Sequence, residues 1–303
     1  MQIDPSFDPH PGRPEEIAPG LRRILAPNPS PMPFRGTNTY LLGGRDLAVI
    51  DPGPDDATHL RAILDAVRPG QRISHILVTH AHIDHSPLAP ALSRATGAPV
   101  LAYGDAGAGR SEVMQALAAE GRAGGGEGVD ADFVPDIVLS DGARVEGGDW
   151  SLEAIWTPGH FGNHLCFAQG DMVFTGDLVM GWASSLVSPP DGDLTDFMTS
   201  CARLRARRAS LFLPGHGAVV TDPSGRLDWL MSHRRAREGA ILAALADGPA
   251  TAQALAMRIY PDTPAALLAA AARNVFAHLV DLTGKKLTTP EGSLSWAATF
   301  RRL

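Results

Sequence analysis

Between Thr79 and His85 the chain reads Thr-His-Ala-His-Ile-Asp-His, directly after the apolar run 73–78, Ile-Ser-His-Ile-Leu-Val. A strand that ends in such a cluster delivers four ligand-type side chains to one point, and the fold must be compatible with that. In an extended segment, residues two apart face the same side, so His80 and His82 can bind one metal ion together. Asp84 and His85 are adjacent and point apart unless the chain turns, so they suit a second ion nearby. Ser86-Pro87 reads as the N-cap and first position of a helix that would supply the turn. A surface histidine tract needs neither the apolar strand before it nor the capped helix after it. The cluster reads as a metal site whose remaining ligands lie elsewhere in the chain.

Three further segments share its design, an apolar run ending in a turn that carries a ligand-type residue. They are Trp156-Thr157-Pro158-Gly159-His160, Phe174-Thr175-Gly176-Asp177 and Leu213-Pro214-Gly215-His216. Glycine before each ligand lets the backbone turn without a Cβ clash. One such segment is most simply a surface turn; four in one chain form a specific pattern.

The chain has 303 residues, 44% of them apolar, enough for one large domain or one large and one small. Residues 1–20 are proline-rich with little periodicity and read as an extended N-terminal arm. Over 21–222, short apolar runs form hairpins early and late, with helical spacings between them, at 55–68 for example. Two sheets flanked by helices, an α/β fold of αββα sandwich type, is the natural packing. Residues 104–132 are glycine-dense around one candidate helix, 111–120. There Gly124-Gly125-Gly126 reads as a mobile loop, with a lid over the site as the alternative. Over 223–303, helical patterns at 225–246, 251–260 and 264–284 precede two short runs, 285–289 and 293–296. These flank Pro290-Glu291-Gly292, a hairpin signal. Three helices and a hairpin make a small winged-helix domain.

Together with Val49-Ile50-Asp51-Pro52-Gly53, the four segments resemble the motifs of the metallo-β-lactamase superfamily of binuclear hydrolases, over about residues 20–222. Gly36-Thr37-Asn38-Thr39-Tyr40-Leu41, the run 232–238 (Ser-His-Arg-Arg-Ala-Arg-Glu) and the tail resemble its lactamase-beta-like subgroup. The resemblance implies that His80, His82 and His160 bind one ion, that Asp84, His85 and His216 bind the other, and that Asp177 bridges them. It gives Asp51 the task of orienting the motif loop. Imidazole and carboxylate ligands without cysteine suit two zinc ions, with iron or manganese also compatible. The expected nucleophile is a metal-bound hydroxide, with Asp84 a candidate proton shuttle as well as a ligand. Histidine rather than glutamate at His82 favours hydrolysis over the di-iron oxygen-reducing branch. Asp177 argues against an antibiotic-cleaving lactamase.

The other histidines divide. His164 could face the site as an outer-sphere or substrate group, or be a structural hydrogen-bonding residue. His59, His75, His233 and His278 read as surface or satisfied core groups, although His233 lies in the subgroup motif that would pack the long helix against the site. Cys166 reads as a buried small residue.

The favoured substrate is a small ester, thioester or lactone. The alternative is single-stranded RNA, cut by a metal-dependent endoribonuclease that uses Arg203, Arg205, Arg207 and Arg208, or Arg234, Arg235 and Arg237, on phosphates. A third reading is a metal-dependent regulator that binds nucleic acid through the wing. Yet 264–283 carries only Arg273 as a basic residue, plus Asp281, a poor DNA reader, so the wing reads first as a packing or homodimerisation module. Net charge is −7, which supplies no global attraction for nucleic acid or anionic membrane. The two cysteines, Cys166 and Cys201, offer no disulfide framework. No run approaches 18 uninterrupted apolar residues, and residues 1–19 lack the pattern of a secretory signal. The expectation is a cytoplasmic protein with no membrane partner.

Overall fold

Short apolar runs punctuated by glycine and proline build two facing sheets. In the computed structural model, which describes residue 4, residues 6–126 and residues 128–303, the first sheet is laid down in sequence order. It comprises β1 (Glu15–Ala18), β2 (Leu21–Leu25), β3 (Asn38–Leu42), β4 (Asp46–Ile50), β5 (Arg72–Leu77), β6 (Val100–Ala102) and β7 (Ile137–Val138). Pairing is antiparallel from β1 to β4 and parallel from β4 to β7. The second sheet holds β8 (Arg144–Glu146), β9 (Ser151–Trp156), β10 (Leu165–Gln169), β11 (Met172–Gly176) and β12 (Leu211–Pro214), in the order β12-β11-β10-β9-β8. It is antiparallel except where β11 and β12 run parallel. A third, small sheet joins β13 (Ala250–Thr251), β14 (Thr288–Pro290) and β15 (Thr299–Arg302). The helices are α1 (Ala57–Asp65), α2 (Ala89–Thr96), α3 (Glu112–Ala119), α4 (Leu194–Arg207), α5 (Pro223–Ala244), α6 (Ala252–Ile259) and α7 (Ala265–Gly284).

Alternation along the strands gives each sheet two buried faces. The inner faces meet in one core, Tyr40, Ile50 and Leu77 against Leu152, Phe167 and Phe174. The outer face of the first sheet packs Val49, Ile76 and Val78 against Ile63 of α1 and Leu92 of α2. The outer face of the second packs Ile155 and Val173 against Phe197 and Leu204 of α4 and Leu230 of α5. The layers are therefore αββα, as expected. Local capping agrees: the Asp193 carboxylate accepts from the Thr195 and Asp196 amides at the start of α4, and Asp56 caps α1 through the His59 amide.

Several local expectations change. The end of the presumed arm is β1, paired to β2, while residues 1–3 and 5 lie outside the described residues. Ser86-Pro87 does not start α2, which begins at Ala89 after Leu88; the Ser86 hydroxyl instead donates to the Asp130 carboxylate at 2.6 Å. The hairpin returns at Thr299–Arg302 rather than at 293–296, because Trp296 is drawn away: its amide donates to the Arg122 carbonyl at 2.7 Å. The third core unites α6, α7 and Phe300 with Met114 and Leu117 of α3, so a helix from the middle of the chain is buried with the C-terminal module.

Candidate metal centre

All the motif turns follow the C-terminal ends of strands. β4 and β5 run parallel in the first sheet; β9, β11 and β12 run in one direction in the second. Both sets of ends meet at one edge, where backbone bonds tie the sheets together: Leu165 N–H to Thr79 O, and Asn38 N–H to Gly215 O, each at 2.8 Å. The Asn38 side chain adds bonds to the Pro214 and Gly217 carbonyls at 2.9 Å. The turn that brings Asp84 and His85 beside their neighbours is a tight one closed by His85 N–H to His82 O at 2.9 Å.

His80, His82 and His160 converge. His82 Nδ1 lies 2.8 Å from His80 Nε2 and 3.0 Å from His160 Nε2. Beside them, His85 Nε2 and His216 Nε2 are 3.2 Å apart. His216 Nε2 is also 3.2 Å from Asp84 Oδ2 and 3.2 Å from Asp177 Oδ2. Asp177 faces both groups, with Oδ1 at 3.5 Å from His85 Nε2 and Oδ2 at 3.8 Å from His160 Nε2. Three sets of donor atoms are close enough to share an ion: His80 with His82 and His160, His80 with His85 and Asp177, and Asp84 with His85 and His216.

The outer nitrogens settle which atoms point inward. His160 Nδ1–H donates to the Leu186 carbonyl at 2.6 Å, and His216 Nδ1–H to the Gly36 carbonyl at 3.1 Å. His85 Nδ1–H donates to Asp51 Oδ2 at 2.9 Å. The Thr79 hydroxyl donates to that carboxylate at 2.8 Å, so its oxygen accepts from His80 Nδ1–H at 2.9 Å. Four imidazoles thus turn their Nε2 atoms towards one another. Such a cluster is electrostatically tolerable only around cations or protons. Asp177 Oδ1 is buried with no hydrogen-bond partner among the described residues.

Asp51 holds this arrangement from an uncommon backbone conformation, φ 52°, with Thr79 N–H on its Oδ1 at 2.7 Å. Gly215 is required for space: a Cβ there would lie 2.6 Å from Asp177 Oδ1 and 2.7 Å from His85 Cε1. Gly159, at φ 142°, would press a Cβ to 2.3 Å from the Phe197 Cα at the start of α4.

The two groups differ in charge preference. Burial pushes the pKa of His80 well below its ordinary value and that of His160 down, and burial with the neighbouring His160 brings His82 to about 3. Burial also opposes charge on His85 and His216, but carboxylates outweigh it. Asp84, Asp177 and Asp51 raise His85 well above the usual range, and Asp177 with Asp84 raises His216 to about 10. Asp84 and Asp177 are held below the ordinary carboxylate range by His85 and His216, against their burial.

The structure divides the remaining candidates. His164 offers no ligand atom to the centre; it is fully buried, accepts the Asp177 amide at 3.2 Å and donates to Thr157 Oγ1 at 2.9 Å, fixing the backbone of Asp177. His233 stacks on Trp229 rather than packing on the site; Arg234, next in the same motif, reaches the Ser185 carbonyl and Asn274. His278 is buried with both ring nitrogens unpartnered among the described residues, so it is not the satisfied core group expected. Cys166 is buried, its thiol pushed up to about 12 by burial. Three of the four arginines of the first run are engaged: Arg203 with Asp141, Arg205 with Asp228 and Arg207 with Glu153, each at 2.9 Å. Sequence reasoning missed Thr79, adjacent to the cluster and carrying a hydroxyl. It also missed the Leu186 and Gly36 carbonyls, which leave no side-chain signal.

The centre opens into a cavity of about 1000 Å³ between the sandwich and the C-terminal module, with His82 and His160 in its wall. The glycine run expected to be a mobile loop also lines it. The run is flanked by Arg273, which donates to the Ala123 carbonyl at 2.5 Å, and by the Ile83 N–H to Gly128 O bond at 2.9 Å.

Comparison with known proteins places this architecture. The model of the metallo-beta-lactamase superfamily matches residues 32–216, and that of the beta-lactamase associated winged helix domain matches residues 251–296. The chain is 31% identical over 238 residues to the lactamase-like protein adaB of Aspergillus niger, covering 76% of this chain and 65% of that protein's length. It is 31% identical over 271 residues to an atrochrysone carboxyl ACP thioesterase of Aspergillus fumigatus, covering 82% of this chain and 76% of that one. A crystal structure of a metallo-beta-lactamase family protein from Thermus thermophilus superposes with TM-score 0.76 at 26% identity, over 95% of this chain and all of the other. With strand-end histidines and aspartates gathered at one edge of an αββα sandwich and a winged helix behind them, the chain belongs to the metallo-β-lactamase superfamily.

Proposed function

We propose that the protein is a binuclear, metal-dependent hydrolase of a small acyl thioester. The observation that carries the metal assignment is the buried Asp177 Oδ1, without a hydrogen-bond partner among the described residues, facing inward-turned imidazole nitrogens. His80, His82 and His160 would hold one cation, Asp84, His85 and His216 the other, with Asp177 between them. Zinc suits this donor set, and iron or manganese is compatible. When bound, the ions supply an acidified water near neutral pH and a polarised carbonyl oxygen. The protein supplies orientation: Asp51, Thr79 and the Leu186 and Gly36 carbonyls fix four imidazoles so that no tautomer change is needed. Asp84, its carboxylate side chain 25% exposed, is the group placed to pass a proton between centre and solvent.

Thioester is preferred to ester or lactone because relatives of this chain, including the Aspergillus fumigatus protein, are named thioesterases. Ion pairing of Arg203, Arg205 and Arg207 weighs against the ribonuclease reading. Within this scheme residues 21–222 and 223–303 remain the working domains, with α3 docked on the second. The test is metal analysis together with a panel of an acyl N-acetylcysteamine thioester, a p-nitrophenyl ester, an acyl lactone and fluorescent single-stranded RNA. The expected result is close to two ions per chain and fastest turnover of the thioester. Full activity with a single ion, or cleavage of RNA alone, would overturn the proposal.

A further inference from the structure

We infer that the winged-helix module is the acyl-binding wall of the active site, and that it selects thioesters carrying an extended apolar acyl group. The inference rests on the thioesterase reading and specifies its substrate class.

The cavity that reaches His82 and His160 is closed on its far side by the C-terminal module: Ala256 and Met257 of α6, Leu268 and Ala269 of α7, and Trp296 of the wing loop. At about 1000 Å³ it lies at the upper end of small-ligand pockets, well beyond what an acetyl group fills. Beside Leu268, α7 lines the cavity with Ala269, Ala270 and Ala272, whose methyl groups leave volume rather than occupy it. Met257, in the lining, is 61% exposed, an apolar side chain left largely uncovered by the described residues.

The polar groups of the cavity do not suit a polyanion. Among the described lining residues Arg273 is the one arginine or lysine, and it acts as a fastener. Its Nε donates to Ser188 Oγ at 2.9 Å, its Nη1 to the Ala123 carbonyl at 2.5 Å, and its guanidinium lies 4.8 Å from the centre of the Trp296 ring. It thereby holds together the 188 loop, the glycine run and the wing, three walls of one cavity. Asp191, also in the lining, pairs with Arg110 at 2.7 Å, which engages that guanidinium with a carboxylate rather than with a phosphate in the cavity. An apolar chain needs no such charged partner, and its burial is favourable.

The test uses the full-length, metal-loaded protein with acetyl, hexanoyl and decanoyl thioesters of N-acetylcysteamine. For the wild type, kcat/KM should climb by about fourfold per methylene, the fold-change equivalent to about 0.8 kcal/mol per buried CH₂, until the cavity is filled. Ala269→Phe, which fills the cavity, should cut the decanoyl-to-acetyl ratio by about tenfold or more. Met257→Ser, at an exposed position with little bearing on folding, should cut it by about threefold. Calorimetric binding of S-decyl-N-acetylcysteamine, which cannot be hydrolysed, should weaken in the same order. Acetyl thioester turnover with no chain-length dependence, or ratios and binding unchanged in both variants, would overturn this inference while leaving thioesterase activity standing. Failure to cleave any thioester, with another member of the panel cleaved, would overturn the function on which it rests.

Discussion

The two halves of the centre are built from similar side chains but prefer opposite charge. The His80, His82 and His160 half is close to a neutral cage: its pKa values are driven down by burial, against the weaker pull of Asp177, 3.8 Å from His160, and of Asp84. The Asp84, His85 and His216 half is steeped in carboxylate, with Asp51 behind it, and holds protons avidly, His216 up to a pKa of about 10. The first half offers lone pairs that no proton fills near neutral pH, so an ion entering it competes with nothing. The second must release protons to take an ion, and affinity there should fall faster as pH drops. On the proposed division of ligands, three imidazoles against two imidazoles and a carboxylate would make two sites of different character sharing Asp177.

That contrast can be attacked at its shared residue first. Asp177→Asn removes charge from both halves at once and should lower turnover by more than about 100-fold, since even outer partners of ligands cost about 10–100-fold. Steady-state kinetics with metal analysis checks it; retention of both ions and most activity would mean that the halves do not share Asp177. Asp51→Asn comes next, with a loss of about 10–100-fold. An amide there can keep the Thr79 N–H bond but not both bonds made by Oδ2, and an NH₂ facing His85 Nδ1 would force the tautomer that protonates Nε2. Asparagine is also at ease at φ 52°, so melting temperature should change little while the second ion is lost. Thr79→Val should cost about tenfold, acting mainly on the first half by freeing His80 Nδ1. Equal loss of both ions in Thr79→Val would dissolve the distinction between the halves.

Much of this was legible in the sequence because strand-end turns put chemistry-bearing residues at fixed offsets from apolar runs. His80, His82, Asp84, His85, His160, Asp177 and His216 could all be nominated that way, and the αββα layers follow from the alternation of hairpins with helices. Less legible were features set by backbone atoms and distant contacts. The Leu186 and Gly36 carbonyls have no residue signature. Ser86 has the look of an N-cap but is captured by Asp130, 44 residues later in the chain. The sequence pattern ends the wing too early because Trp296, apolar and flanked by serine and alanine, reads as strand but is bound to Arg122 and Arg273. The burial of α3 with the C-terminal module is likewise a long-range packing choice that local periodicity does not encode.

The smallest expected effect is also the most direct reading of the charge contrast, and it needs the metals removed by chelation. Between about pH 3 and 6.5 the unfolded chain protonates His82 while the folded chain does not, so stability rises with pH; His59, buried and lowered to about 4, acts in the same direction. Between about pH 6.5 and 10 the folded chain keeps the proton on His216 that the unfolded chain has lost, so stability falls as pH rises. The metal-free protein should therefore be most stable near pH 6.5, losing a few degrees of melting temperature on either side. His216→Gln should flatten the alkaline limb and spare the acid one, and His82→Gln should do the reverse. A single monotonic limb in the wild type, or both limbs responding alike to both substitutions, would show that the halves titrate as one unit.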